Sequence, residues 1–396
     1  MNGHRSATSL ASDVLISFPG EFARIHVPRR NKTYQVSGAT LELLAAVLDS
    51  SGEQLKALHR RYSDASLDAA LDQLTARGIL SAGSGRTELP KAWAHWGEPA
   101  WFLQMKSRNA TYDISTAGQL SITADIVATP PPPVFKCLCG DATVPLPAPR
   151  SIDTGLSTAL QQRRTCRAFA DAPIALGDLA TILYYTAGTL FTHETNFYGP
   201  VAKKCAPSPG ARHATEAYVA IRACDGIESG IYHYCSAHHA LTAVRAPMPE
   251  DFLTTALYQQ HYFVDAAATI FFTAVIDRIM WKYRSSRAYR LMHYEVAHYA
   301  QNLLLAGTGL GLGVYVTGAL AEAYIEEQLG IDGVGEIPMY VAGVGPEAID
   351  RPAVREGVAL SDFARSAEVK LPEPAPELSF EVPDTIEQLL RPDVDD

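Results

Sequence analysis

The sequence predicts an α+β protein of two or three domains. Three observations lead there. Ile16 to Leu80 mixes strand-like and helical spacing within one small unit. Further on, Glu216 to Ile221, Gly230 to Tyr234 and Pro338 to Gly345 are short apolar runs bounded by turn residues, as strands are. Between them, Ala288 to Ala306 repeats apolar residues at helical spacing. At about 150 residues per domain, 396 residues allow two or three such bodies.

In the first unit, Ile16, Phe18, Phe22, Ile25 and Val27 predict short strands closing a hairpin. Leu41, Leu44, Ala45 and Leu48 predict a helix over Thr40 to Leu48, and Leu55 with Leu58 a second. A third carries Leu67, Ala70, Leu71 and Leu74, and Gly78 stops it as a C-cap before Ile79-Leu80. Three short helices and a strand look like a winged helix. The third helix offers Asp68, Asp72 and Gln73 with only Arg77 basic, a poor reader of DNA phosphates. The pattern resembles the PqqD-like peptide-recognition domains, which implies leader-peptide binding at a sheet edge; a structural cap is the other reading. Trp93, Trp96 and Trp101 follow, expected as a buried anchor between domains or else as a peptide-binding surface.

Composition narrows the function. There are 33 Lys and Arg against 43 Asp and Glu, a net charge of −10, which disfavours nucleic acid as a partner. Eight acidic residues against Arg391 place −7 of it in residues 372–396, an acidic, Pro-rich tail. Its Leu378, Phe380, Val382, Ile386, Leu389 and Leu390 suggest that the tail packs, across a dimer partner. No signal core and no run of about 18 apolar residues is present, so a cytoplasmic protein outside the membrane is expected. The six Cys show no CxxC and no Cys/His ligand spacing, so reduced thiols and no metal are expected. Breaks at Ser81 to Arg86, at the prolines of Thr129 to Pro149 and near Pro346 divide the chain into 1–85, a Trp- and Pro-rich linker 86–150, a main domain 151–350 and the tail 351–396.

The main domain opens with a helix, Leu156 to Gln162, running into Arg163-Arg164-Thr165-Cys166-Arg167-Ala168-Phe169. Three arginines and a hydroxyl can converge on one phosphate. Ala206-Pro207-Ser208-Pro209-Gly210-Ala211-Arg212-His213 is a turn-rich loop ahead of a strand. The long helix, apolar on much of its circumference, should be central and buried. It ends in Gly307-Thr308-Gly309-Leu310-Gly311-Leu312-Gly313, followed by Val314 to Gly318 as a strand and a helix over Leu320 to Leu329. The glycine run lacks the strand-turn-helix setting of a dinucleotide site. His293 and His298 flank Glu295, but ligands five apart do not share a helix face, so core histidines are expected rather than a metal site.

RRTCRAF, PSPGARHATEAY, GIYHY, AQNLLLAGTGLGLG and YVAGVGP, in that order, resemble the nitroreductase superfamily, specifically the SagB/McbC-type FMN-dependent dehydrogenases of peptide maturation. The resemblance covers about half the chain directly. It implies a mixed sheet covered by helices, an obligate homodimer and FMN at the dimer interface. It implies that Arg163, Arg164, Thr165 and Arg167 grip the phosphate and ribityl, and that Pro207, Ser208, Pro209 and Gly210 lie along the isoalloxazine of the neighbouring subunit or face its polar edge. Thr317 and Gly318 would approach the flavin N5/O4 side. Lys282 and Tyr283 correspond to the family's proposed acid–base pair: Tyr283 is cast as base with Lys282 tuning it, or the reverse. Where the family has a glycine pair this chain has Pro209-Gly210, and Ala214 stands where a proline is usual, which should change the loop's shape over the flavin.

The activity implied is oxidation of a ribosomally made, modified peptide, azoline to azole, with a separate cyclodehydratase supplying the azoline. Two alternatives stay open. One is a flavin-dependent reductase of dehydroamino-acid residues or nitro and quinone compounds. The other is a non-catalytic peptide-binding partner in a maturation complex.

Overall fold

A computed structural model describes residues 8–348 except 12–13, 20–21, 31, 50, 83–90, 94, 109–114 and 197. The acidic tail therefore lies outside the described residues. The chain divides into two compact units that meet in sequence at residues 103 and 104.

In the first unit, β1 (Thr8–Leu10) precedes a three-stranded antiparallel sheet, β2 (Leu15–Ser17), β3 (Ala23–Val27) and β4 (Lys32–Val36), in the order β2-β3-β4. Three helices follow, α1 (Gly38–Leu48), α2 (Glu53–Arg61) and α3 (Asp64–Ala76). Ser37 and Ser63 accept the free N–H groups of Thr40 and Ser66 and so start α1 and α3. Gly78 has φ +75°, as the C-cap pattern predicts, and the chain then enters β5 (Leu80–Ala82), which pairs with β1. Ile25, Leu44, Leu67, Leu74 and Ile79 close this core. Trp93 packs edge-on against both Trp96 and Trp101, at 5.3 Å in each case. Helix α4 (Gly97–Ser107) carries Trp101.

The second unit holds α5 (Thr116–Val127), so the stretch read as a linker contains helix as well as proline. Next come β6 (Thr143–Pro145), α6 (Leu156–Gln162), α7 (Leu176–Ala187) and the hairpin β7 (Thr189–Thr195) and β8 (Gly199–Lys204). The sheet continues with β9 (Thr215–Ile221), β10 (Gly230–Cys235) and β11 (Ala240–Arg245), then α8 (Phe252–Ala256), β12 (Ala268–Val275) and α9 (Ile276–Met280). The chain closes through α10 (Ala288–Gly309), β13 (Gly313–Thr317), α11 (Glu322–Leu329) and β14 (Glu336–Gly345). Seven strands form one sheet in the order β13-β14-β12-β9-β10-β11-β6, and its named pairs are all antiparallel. A parallel bridge between Thr165 and Val314 at its edge makes the sheet mixed.

Both faces are covered. Ala217, Val219, Ile221, Ile270 and Phe272 face a core that includes α7 and α10 residues, while Tyr218, Ala220 and Phe271 face a second core with Phe252, Tyr315 and Ile325. The alternation follows the two-residue period of a strand, and burial on both sides explains why β9 and β12 read as nearly unbroken apolar runs. The glycine run serves packing. A Cβ on Gly307 would lie 2.4 Å from Val314 Cγ1, so its absence lets α10 press onto β13. No helix among the described residues is long and apolar enough to cross a membrane.

Candidate active site

Arg163 to Phe169 leaves α6 and runs along the outer edge of β13. Thr165 bridges Val314, and the Cys166 N–H donates to the Val314 carbonyl at 2.7 Å. In an extended segment alternate side chains share a face. Cys166 is buried, so Arg163, Thr165 and Arg167 point the other way. No hydrogen bond or ion pair within the described residues occupies the Arg163 or Arg167 guanidinium; Arg167 lies 6.0 Å from the ring centre of exposed Tyr262. Arg164 behaves differently. Its Nη1 donates to the Gln161 and Arg163 carbonyls, at 2.7 and 2.8 Å, and so satisfies the free C-terminal end of α6.

The second group assembles at the other end of the sheet. Ser208 Oγ accepts the His213 N–H at 2.8 Å and folds the loop into a short turn. Within it Gly210 has φ +58°, a left-handed conformation that a side chain resists. A Cβ there would sit 2.7 Å from Tyr283 Oη and 2.8 Å from Lys282 Nζ. The structure therefore brings Gly210, Lys282 and Tyr283 together across 72 residues of sequence (282 minus 210). Lys282 lines a cleft of about 490 Å³ with Pro207, Ser208, Gly210 and His193, and its Nζ lies 4.1 Å from the Tyr198 ring centre. Tyr283 lines a second cleft of about 970 Å³, walled by Pro130, Pro132, Pro133, Trp281 and Met292. Burial first, and then the charge of Arg212, push the Lys282 ammonium below its ordinary pKa.

The register measures how far apart these two groups lie. Thr165 pairs with Val314, Val314 with Val344, Val344 with Ala268 and Ala268 with Ile221. The Ser208 loop instead feeds Thr215, the opposite end of β9. Six residues of strand separate the two ends, about 20 Å. Within one chain the arginine cluster and the Pro207–Gly210 loop are not brought together. Thr317 and Gly318 sit between those levels, with Thr317 paired to Val341 and its hydroxyl donating to Gln260 Oε1 at 3.0 Å.

Several buried polar residues around the second group carry no signal of their own in the sequence. Arg212 is 2% exposed, its ring-facing guanidinium stands 4.6 Å from the Trp281 ring centre, and none of its three guanidinium nitrogens has a hydrogen-bond partner among the described residues. Glu216 accepts from Arg278 at 2.5 Å and from His233 at 3.0 Å. Burial alone would raise its pKa, but the His233 hydrogen bond and the charges of Arg278 and Lys204 outweigh this and hold it at about 2. His213, hydrogen-bonded to Tyr299 at 2.9 Å, is kept neutral chiefly by burial and then by Lys204, with a pKa of about 3. Glu295 accepts both the N–H and the hydroxyl of Thr215 at 2.8 Å, 80 residues away. His293 and His298, expected in the core, are exposed, because they fall on the two flanks of α10, outside the buried stripe of Glu295, Val296 and Tyr299. The expectation that the cysteines lack ligand spacing is also corrected: donor atoms of Cys137, Cys139, Cys235 and His238 all lie within 4.8 Å of one another.

A Nitroreductase family profile matches residues 160–345. The chain is 31% identical over 203 residues to MJ1384 of Methanocaldococcus jannaschii, a protein named for nitroreductase; the match spans 51% of this chain and 96% of that one. It is 31% identical over 166 residues to the trifolitoxin-processing protein TfxB of Rhizobium leguminosarum bv. trifolii, spanning 40% of this chain and 44% of TfxB. Among solved structures, a chain of the E. coli microcin synthetase McbBCD complex with truncated pro-MccB17 aligns at 16% identity and a TM-score of 0.39, over 62% of this chain and 86% of that one. With 31% of its aligned residues shared across nearly the whole length of MJ1384, and with this mixed, helix-covered sheet, the chain belongs to the nitroreductase family.

Proposed function

We propose that the protein is an FMN-dependent dehydrogenase of a ribosomally made, modified peptide, oxidising an azoline ring to an azole. The observation that carries this reading is the contact of Gly210 with Lys282 and Tyr283: a loop suited to a flat ring lies beside a proton acceptor. The residues fit a phosphorylated flavin. Arg163 and Arg167 present forked donors that no carboxylate of the described residues claims, with Thr165 on the same face. Buried Arg212 has three guanidinium nitrogens without acceptors among the described residues, so an electron-rich ligand would relieve a standing cost.

The separation of about 20 Å between the two groups favours a homodimer in which each flavin takes its phosphate grip from one subunit and its ring contacts from the other. Leu156 and Leu160, one turn apart on α6 and 67% and 52% exposed, supply an apolar face beside the arginines for that contact. When bound, FMN supplies the hydride acceptor, with dioxygen as final oxidant. Converting an azoline to an azole also releases one proton. Lys282, biased toward its neutral amine, takes it, and Tyr283 orients the ring from the neighbouring cleft. Trp281 and the proline segment Thr129–Pro133 wall that neighbouring cleft.

The likeness to a trifolitoxin-processing protein supports a peptide substrate. The first unit would dock the leader along β4, which among the described residues pairs only with β3 and so keeps one row of backbone groups open. A separate cyclodehydratase would supply the azoline. The test is the absorption spectrum of the purified protein followed by turnover of a synthetic azoline peptide. A yellow protein that gains azole product under air supports the reading. A colourless protein that FMN cannot reconstitute sinks it, and bleaching by NADPH without peptide would point to the reductase instead.

A further inference from the structure

Four side chains from two distant segments converge beside β10, away from the groups described above. Cys137 and Cys139 lie in the extended stretch that leads into β6, where the one-residue spacing puts both thiols on the same face. Cys235 ends β10 and is buried; His238 sits in the tight turn from β10 to β11. His238 Nδ1 lies 3.6 Å from Cys137 Sγ, 3.7 Å from Cys139 Sγ and 3.3 Å from Cys235 Sγ. All four donor atoms fall within 4.8 Å of one another.

These distances have a geometric meaning. A tetrahedral zinc ion with Zn–S of about 2.3 Å and Zn–N of about 2.0–2.1 Å puts its nitrogen about 3.6 Å from each sulfur. The three observed S···N separations straddle that value. The four donors are also too close together for a two-iron cluster, whose ligand pairs stand apart by the width of its core. Four protein donors leave no open coordination position, which is the signature of a structural rather than a catalytic ion. Soft thiolates with one imidazole select zinc over calcium or magnesium.

The two arms are held in place independently of any ion. The turn bearing His238 is fixed by the pairing of β10 with β11, and the Cys137–Cys139 arm by the pairing of β6 with β11, where Ala240 faces Pro145 and Thr242 faces Thr143. Thr143 Oγ1 accepts the Gly140 N–H at 2.8 Å and closes the bend between the cysteines and β6. Two arms anchored on one strand therefore present a preformed site.

We propose that Cys137, Cys139, Cys235 and His238 bind one zinc ion in a Cys3His site that clamps the proline segment to the β10–β11 turn. That segment forms no sheet ladder of its own. Pro130 to Pro133 carry no N–H and cannot join a sheet. The segment is held by scattered bonds: the Thr129 carbonyl to Trp281 Nε1 and the Pro133 carbonyl to Arg278 Nε, both at 3.0 Å, and Lys136 Nζ to Tyr218 Oη and Glu336 Oε2, both at 2.6 Å. An ion at Cys137 and Cys139 would fix its C-terminal end and so hold the wall of the 970 Å³ cleft.

The experiment uses the full chain, purified with reductant and without chelator, and reads metal by inductively coupled plasma mass spectrometry. The expected result is one zinc per chain. It should fall more than tenfold in Cys137→Ser/Cys139→Ser and in Cys235→Ser, and stay unchanged in Cys205→Ser, an exposed cysteine outside the cluster. Because a variant could fail to fold, the wild type is also emptied with chelator and refilled with cobalt. An intense ligand-field spectrum of tetrahedral cobalt with a thiolate charge-transfer band supports the site. Three outcomes overturn it: wild-type protein without metal after anaerobic refilling with zinc, metal retained in full by the Cys137→Ser/Cys139→Ser protein, or thiol trapping that finds a disulfide among these cysteines in reduced cytosol-like buffer. None of these readouts depends on flavin or turnover, so the failure of the zinc site and the failure of the dehydrogenase reading are separate results.

Discussion

Gly210 and Lys282 share a space that one more carbon would fill: a Cβ on Gly210 would stand 2.8 Å from Lys282 Nζ. The backbone at Gly210 is also left-handed, with φ +58°. Gly210→Ala should therefore cost about 1–2 kcal/mol in backbone strain and push the lysine amine aside. The amine is a flexible end and will yield, so the loss should appear in turnover more than in folding. We expect kcat to fall at least tenfold with a drop in Tm of only a few degrees, measured by azole formation and thermal denaturation.

Arg212 lowers the Lys282 pKa through its charge, second to burial. Arg212→Met removes that charge, so the Lys282 amine should hold its proton to higher pH. The rising limb of the rate–pH profile should then move to higher pH, and a limb that stays put would exclude Lys282 as the group that titrates. The same variant removes a buried guanidinium that has no acceptor among the described residues. Flavin-free protein should gain about 1–3 kcal/mol in denaturant unfolding, while flavin retention weakens.

Acid should unfold this protein in two overlapping stages of one sign. His213 is kept neutral in the folded state down to about pH 3, against about 6.5 in an unfolded chain, so stability declines as pH falls below 6.5. Glu216 stays ionised down to about pH 2, so its share of stability is present above its unfolded value near 4.3 and lost below it. Denaturant unfolding across pH 7 to 3 should show that decline, and His213→Gln should flatten its upper part, between pH 6.5 and 4.5. Arg278→Met, which leaves Glu216 buried without its cation, should cost about 3–5 kcal/mol at pH 7.

The three arginines at 163, 164 and 167 should not be equivalent. Arg163→Ala and Arg167→Ala remove donors that have no other acceptor among the described residues, and each should lower FMN retention tenfold or more. Arg164 is committed to the carbonyls of Gln161 and Arg163 at the end of α6. Arg164→Ala should leave FMN retention within about twofold and lower stability by about 0.5–1.5 kcal/mol. Flavin absorbance after gel filtration separates the three. Equal losses would mean that Arg164 leaves its helix end to reach the phosphate.

Local order was legible because it is written in spacing. The Gly78 stop, the apolar run of β9 and the long α10 each follow from residues within one or two turns of one another. The ordered motifs of residues 163 to 345 likewise identified the fold. The same kind of reading misplaced His293 and His298, since helical periodicity gives two faces and only packing selects which is buried.

What the sequence could not decide is what meets across the sheet. Glu295 reaches Thr215, and Gly210 receives Lys282 and Tyr283, through strand register rather than spacing. The cysteines show this most clearly. Cys-x-Cys at 137 and Cys-x-x-His at 235 are each too short to signal a site, and they become four converging donors only because β6 and β10 both pair with β11. Register also set the arginine cluster about 20 Å along the strands from the Ser208 loop, so one chain does not bring these two motifs together. The chain's local chemistry fixed which elements form; hydrogen-bonded pairing of strands far apart in sequence decided which side chains face each other.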